Sequence, residues 1–460
     1  MIKKKSYTLL YRTFFPLLFV IAIQGIVTLG VNLADNFMLG GYSEAALSGA
    51  ALVNQIQFIL QSLIGGIGAG IAALCSQYWG REEIDPIKRI ISLGLKFAFL
   101  GGLIFWAVTF FFPENVLRLL TNDEPIIAEG VKYLRVMCWT YLVFSISSAL
   151  VYSLQSVQTA WIGSVMAVAT LCINTTLNYA LIFGHFGAPR LGVTGAAIAT
   201  LISRCVELLI ILIYVLFADK KLCLRLRELL RFDFGYLKDF LRVSMPMVAS
   251  GANWGIAQAA QTAILGRISG ETIAANAIAS VIFSIFTVFG FSCCNAAQVT
   301  IGKTVGMGEY ELVKSYAKRL QLIFIAIGIA TGALLFTFRG GIVGLFSEIS
   351  GDTRALALQF LIVLSVATVG TCYEYPVESG IIAGGGNTRY AAIVDVLSMW
   401  LFTIPTAAIS ALVLHWPPVV TFCFLKADQL LKCIPNAIVV NRFKWIRQLT
   451  RGGVENADAK

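Results

Sequence analysis

Asp35 lies in the apolar stretch VNLADNFMLGG, with no Lys or Arg within a helical turn. A lone carboxylate in such a run costs on the order of 3 kcal/mol if the run is buried in lipid. It either sits close enough to a helix end to reach water, or it takes up and gives back a proton or a small cation. Asn174 and Asn178 are spaced to share one face of a helix. Their amides either glue helices together or line a polar hollow. With Asp35 in the same bundle they make a polar pocket that Thr200, and Tyr133 or Tyr141, would extend. Glu374 and Glu378 have the same spacing, and Pro376 between them frees a backbone carbonyl. Two carboxylates this close repel when both are ionised, so the pair is a candidate site for a cation or a proton. Asp395 stands nearer the end of its run. Arg204 with Glu207, and Asp428 with Lys432, have the spacing of ion pairs within one helix and read as structural, and Lys426 has no evident partner. The residues able to hold an ion are thus Asp35, Asn174, Asn178 and Glu374. Tyr141, Thr200, Gln258, Glu378 and Asp395 are the candidates to line a cleft.

The elements that must position these groups are membrane spans. Of the 460 residues, 58% are hydrophobic and 13% charged, and mean hydropathy is +0.80. A soluble globular protein carries about 25% charged residues, so the chain belongs in a lipid bilayer. A helix needs about 20 apolar residues to cross the hydrocarbon core, and twelve such runs are present, from roughly 14–39 to roughly 418–440. Asn174 and Asn178 fall in roughly 161–183, Thr200 in roughly 192–217, the paired Glu residues in roughly 355–383 and Asp395 in roughly 390–414. No barrel-like alternation is visible, and helices satisfy their own backbone within one span. The expected fold is an all-α membrane protein with twelve transmembrane helices in two pseudo-symmetric six-helix bundles. The halves are copies. At one shift Gly40, Gly80 and Lys88 fall on Gly266, Gly306 and Lys314 without a gap, and further along Leu119 meets Leu345. The expected division is an N-terminal lobe over 1–217, a charged amphipathic linker over 218–242, a C-terminal lobe over 243–447 and a tail over 448–460. Parallel repeats of this kind place a site where the halves face each other.

The net charge of +10 could suggest a nucleic-acid partner. The basic residues instead crowd short loops between spans, at the N-terminus, near 81–96, in the linker and in the tail. Those expected on the opposite side are Arg118, Lys132, Arg135, Arg190, Arg267, Arg339 and Arg354. That asymmetry predicts both termini in the cytoplasm. The ten Cys are scattered, mostly within apolar runs, with no metal-ligand or disulfide spacing. The N-terminal apolar run is long and lacks a small-residue cleavage site, so it reads as a retained span. The glycines of GGIGAG at 65–70 lie inside a span and read as helix packing rather than a phosphate loop. No catalytic constellation, cofactor site or nucleotide motif is present to support an enzyme or an ATP-driven pump.

LADNFMLG, AALCSQYWGREE and LNYALIFGHFGAPRLGVTGAAIATLISR, with PMVASGANWGIAQ, IAANAIA and IIAGGGNTRYAAIVDVLSMW in the second copy, resemble the multidrug and toxic compound extrusion (MATE) transporters over nearly the whole chain. The resemblance implies twelve helices, a central cleft and export of organic cations or drugs in exchange for H+ or Na+, by a monomer in the plasma membrane. It implies that Asp35 takes the coupling ion with Asn174 in its network, and it maps the helix-10 acid onto Glu374. Some members carry an Asp where this chain has Asn178. Others use a Glu on the seventh span, where this chain has NWGIAQAAQ with Gln258. The alternative function, a flippase for a lipid-linked precursor, would need basic residues at mid-membrane. Arg204, Lys426 and Lys432 are the few present.

Overall fold

The computed structural model describes residues 2–231, 234–344 and 350–451. Leu345, paired above with Leu119, and most of the tail lie outside the described residues. Within them the chain is helical throughout: α1 (Ile2–Tyr42), α2 (Glu44–Gly80), α3 (Ile84–Phe111), the short α4 (Pro113–Arg118), α5 (Glu124–Ser156), α6 (Trp161–Phe183), α7 (Val193–Ile213), the linker helix α8 (Leu226–Leu230), α9 (Leu237–Gly266), α10 (Gly270–Gly306), α11 (Tyr310–Gly344), α12 (Gly351–Tyr375), α13 (Thr388–Leu397), α14 (Ile404–Ala408) and the pieces α15 (Pro418–Lys426), α16 (Asp428–Leu431) and α17 (Cys433–Arg442). Ten helical stretches among the described residues are long and apolar enough to cross a membrane. The seventh and twelfth spans complete the twelve of the expected fold. The seventh falls short on composition, because α9 carries Pro246, Asn253, Gln258 and Gln261, and the twelfth on length, because it is broken into short pieces.

The last span is one apolar run in the sequence and three helical pieces in the structure. Pro435 has no N–H to offer the carbonyl of Leu431, so the ladder breaks at Lys432. A related device acts in α12. Beyond Pro376 the helix continues as a wider π turn over Pro376–Ile382, a distortion often found at functional sites.

Contacts divide the chain into two compact units. The N-terminal unit comprises Ile23–Cys75 and Glu83–Val248. Its α3 packs on α5, α5 on α7 and α6 on α7. Glycine lets backbones approach here: a Cβ on Gly66 would lie 2.6 Å from the Cα of Val248, and one on Gly49 2.7 Å from the amide of Gly130. Helix α8 of the linker is docked on α3, where Lys88 pairs with Glu228 at 3.0 Å and Ser92 Oγ donates to the carbonyls of Leu229 and Arg231.

The C-terminal unit comprises Ala249–Lys460 with Met1–Ala22 and Ser76–Glu82. Its core joins α9, α10, α11, α12 and α15 through Ile264, Ile282, Leu335, Leu364, Leu425 and the stacked rings of Phe360 and Phe422, 4.0 Å apart. The segment after α17 folds back on this unit. Trp445 is fully buried, the amide of Arg447 donates to the carbonyl of Gly385 at 2.7 Å, and Gln77 Oε1 accepts from the amide of Leu449 at 2.7 Å.

Candidate functional site

In the N-terminal unit α1, α6 and α7 bring Asp35, Asn174, Asn178 and Thr200 into one hydrogen-bonded chain. Asn178 Nδ2 donates to Asp35 Oδ1 and, at 3.1 Å, to Asn174 Oδ1. Asn174 Nδ2 donates to Thr200 Oγ1 at 3.3 Å, and that hydroxyl donates to the carbonyl of Ala196. Both asparagines are buried, and Asp35 is half-buried. The helical spacing that puts the two amides on one face also points them at α1 and α7, so the set assembles without a loop.

A cavity of about 50 Å³ opens beside Asp35, lined by Asn32, Gln57, Tyr133, Thr170 and Arg204 among others. Several buried polar atoms around it lack a hydrogen-bond partner: Gln57 Oε1, Thr170 Oγ1 and Asn178 Oδ1. One water fills about 30 Å³ of liquid, and drug-sized pockets start near 300 Å³. The hollow therefore suits an ion with a water or two and is too small for a drug. A larger pocket of about 330 Å³ lies at the junction of α4 and α5. It is lined by surface groups such as Arg118 and Glu124, which pair with each other at 2.7 Å.

Arg204 borders the small cavity but is committed elsewhere. It pairs with Glu207 at 2.7 Å and lies over the ring of Phe144. Tyr133 reaches the cavity, whereas Tyr141, the alternative at that position, is fully buried and its hydroxyl has no partner. The backbone at Tyr141 packs against Gly102 of α3 instead.

The C-terminal unit holds a second buried cluster. Lys432 Nζ lies 3.0 Å from Asp395 Oδ1, 3.3 Å from Glu374 Oε2 and 4.0 Å from Asp428 Oδ2. The expected pairing of Lys432 with Asp428 is thus present, but it is the longest of the three. Asp395, which the sequence puts nearer the end of its span, also accepts from Ser250 Oγ. Glu378 Oε2 accepts from Asn436 Nδ2 at 3.0 Å. The same amide lies 3.4 Å from the carbonyl of Glu374, at the start of the widened turn. Lys426 finds a partner in Gln261 Oε1 at 3.2 Å. Gln258 stands half-buried one turn earlier on α9. Spacing along one helix reveals only partners on that helix, so the links from Lys432 to Asp395 and Glu374 left no local signal. The one hint is that Arg204 and Lys432 occupy matching places in the two copies.

The structure of the Vibrio cholerae MATE transporter VcmN D35N mutant superposes with a TM-score of 0.87 at 15% identity, covering 97% of this chain and 99% of that one. A MATE crystal structure in complex with MaL6 gives 0.84 at 18% identity, over 94% and 96%. Among proteins similar in sequence, a probable multidrug resistance protein NorM of Thermotoga maritima is 25% identical over 84% of this chain and 82% of its own. The uncharacterized transporter YisQ of Bacillus subtilis is 21% identical over 81% and 82%. The family model MatE matches residues 21–180 and again 246–409, once in each copy of the repeat. Two matches in tandem, over most of a twelve-helix membrane fold, make this chain a member of the MatE family of transporters.

Proposed function

We propose that the chain is a secondary active antiporter of the plasma membrane, exporting amphipathic organic cations in exchange for H+ or Na+, with the proton as the favoured ion. It would act as a monomer with both termini in the cytoplasm and swing between outward-open and inward-open states. The relatives named as multidrug resistance proteins support the substrate class. The observation that carries the coupling is the chain from Asp35 through Asn178 and Asn174 to Thr200, beside an ion-sized hollow.

The geometry suggests how a proton would be read. Ionised, Asp35 accepts from the amide nitrogen of Asn178. Protonated, it offers an O–H of its own and no longer needs that donor. Asn178 Oδ1, buried and without a partner, would then accept the new O–H if the amide turns over. The turn withdraws Nδ2 from Asn174, and the change passes to Thr200 on α7. Proton binding thereby becomes a rearrangement among three helices. Only such differential interaction with two states can bias a conformational equilibrium.

Reconstituted into proteoliposomes, the protein should move ethidium under an imposed pH gradient, and a sodium gradient alone should drive little. Asp35→Asn should abolish the movement while the protein is still made and inserted. Unchanged dye transport in that variant would reject this reading. The flippase alternative needs free basic groups to hold phosphate, and Arg204, Lys426 and Lys432 are each engaged within their own unit.

A further inference from the structure

We propose that Lys432 is a resident cation. Its ammonium fills the seat formed by Glu374, Asp395 and Asp428, so this seat takes up no cation from solution. The proposal concerns occupancy of this cluster and stands whether or not Asp35 carries the exchanged ion.

The cluster draws groups from separate helices onto one point. Glu374 comes from α12, Asp395 from α13 and Asp428 from α16, and Lys432 stands between α16 and α17. Lys432 is 7% exposed, Glu374 4% and Asp428 6%. Acids so enclosed need a positive charge among them, because the interior solvates them poorly. The three carboxylate oxygens lie 3.0 to 4.0 Å from Nζ. Glu374 Oε2 is buried and faces Nζ. The remaining contacts hold the acids in place: Ser250 on Asp395, and Asn436 on Glu378, with Tyr390 donating to Asn436 Oδ1 at 2.8 Å. Among the described residues no group of three acid, His or Cys side chains is arranged to hold a metal ion. The cation among these acids is one the protein supplies itself, the Lys432 ammonium.

The matching place in the first copy behaves differently. Arg204 turns to Glu207 on its own helix and leaves Asp35 beside an open hollow. One copy of the repeat thus keeps a hollow beside its acid, and the other sets its own ammonium among its acids.

Chemical rescue tests this without any transport assay. Lys432→Ala removes the rest of the side chain and leaves a hole the size of n-propylammonium. The purified variant should melt about 5 °C or more below wild type, as expected for a buried charge cluster that has lost its partner. n-Propylammonium at tens of millimolar should restore at least half of the loss. Tetramethylammonium at equal ionic strength should restore none, and neither ion should move wild type. Equal effects of the two ions on the variant would overturn the proposal. Should Lys432→Ala resist purification, radioactive sodium binding to the Asp35→Asn protein decides the matter. No binding is expected, and binding that disappears on adding Asp395→Asn would contradict a filled seat.

Discussion

Gly80 and Gly306, matched in the two copies, end α2 and α10 and lie against each other's helix. A Cβ on Gly306 would fall 1.9 Å from the carbonyl oxygen of Gln77, and one on Gly80 would fall 2.1 Å from that of Lys303. An unstrained C···O contact is about 3.3 Å, so either alanine must push the helices apart by more than about 1 Å. Backbone carbonyls inside helices cannot swing aside as a side chain could. Overpacking of this kind costs about 1–3 kcal/mol, while replacing a helical glycine by alanine otherwise gains roughly 0.5–1 kcal/mol. The net expectation is a loss of about 1–2 kcal/mol for Gly80→Ala and for Gly306→Ala. Gly30→Ala and Gly255→Ala serve as controls, because nothing lies within 4 Å of a Cβ at either site, and both should be neutral or stabilising. Thermal unfolding of the four purified variants in one detergent reads the difference. If the Gly80 and Gly306 variants melt at or above the controls, the close contact does not exist as described.

Asn178→Ala removes the donor to Asp35 and the link to Asn174, so coupled dye efflux in proteoliposomes should fall about tenfold or more. Burial works against ionisation of Glu228, but the backbone N–H of Arg225 and then the Lys88 ammonium hold its carboxyl below the usual range. A lowered folded value stabilises above the ordinary carboxylate pKa and is lost as pH falls through the lowered one. Hydrogen-exchange protection of 226–231 should therefore fall on acidification, and Lys88→Gln should move that loss to higher pH. Trp445→Ala empties the niche that closes against Gly385, so trypsin should cut after Arg447 faster than in wild type.

Most of the architecture is written locally in the chain. The apolar runs and their repetition place twelve spans, because lipid demands length and apolarity from each helix alone. Helix ends were harder to read. The first run of roughly 14–39 sits inside a helix from Ile2 to Tyr42, since a helix can continue beyond the hydrocarbon while only the buried part must be apolar. Asp35, Asn174 and Asn178 stood out as polar groups where lipid penalises them, and the structure brings them into one hydrogen-bonded chain with Thr200. Choosing between Tyr133 and Tyr141 required knowing which face of α5 meets the hollow, and both are plausible on an apolar span. The acid cluster around Lys432 was legible only in part. Glu374 with Glu378 and Asp428 with Lys432 show their spacing, but Asp395 and Ser250 join them through packing between distant helices.

Substrate-triggered proton release tests the central claim most directly. Ethidium added to purified protein in weakly buffered detergent should displace protons from wild type, and Asp35→Asn should release none. Dye binding to wild type with no proton release, or equal release from both proteins, would contradict a mechanism in which Asp35 exchanges its proton for cargo.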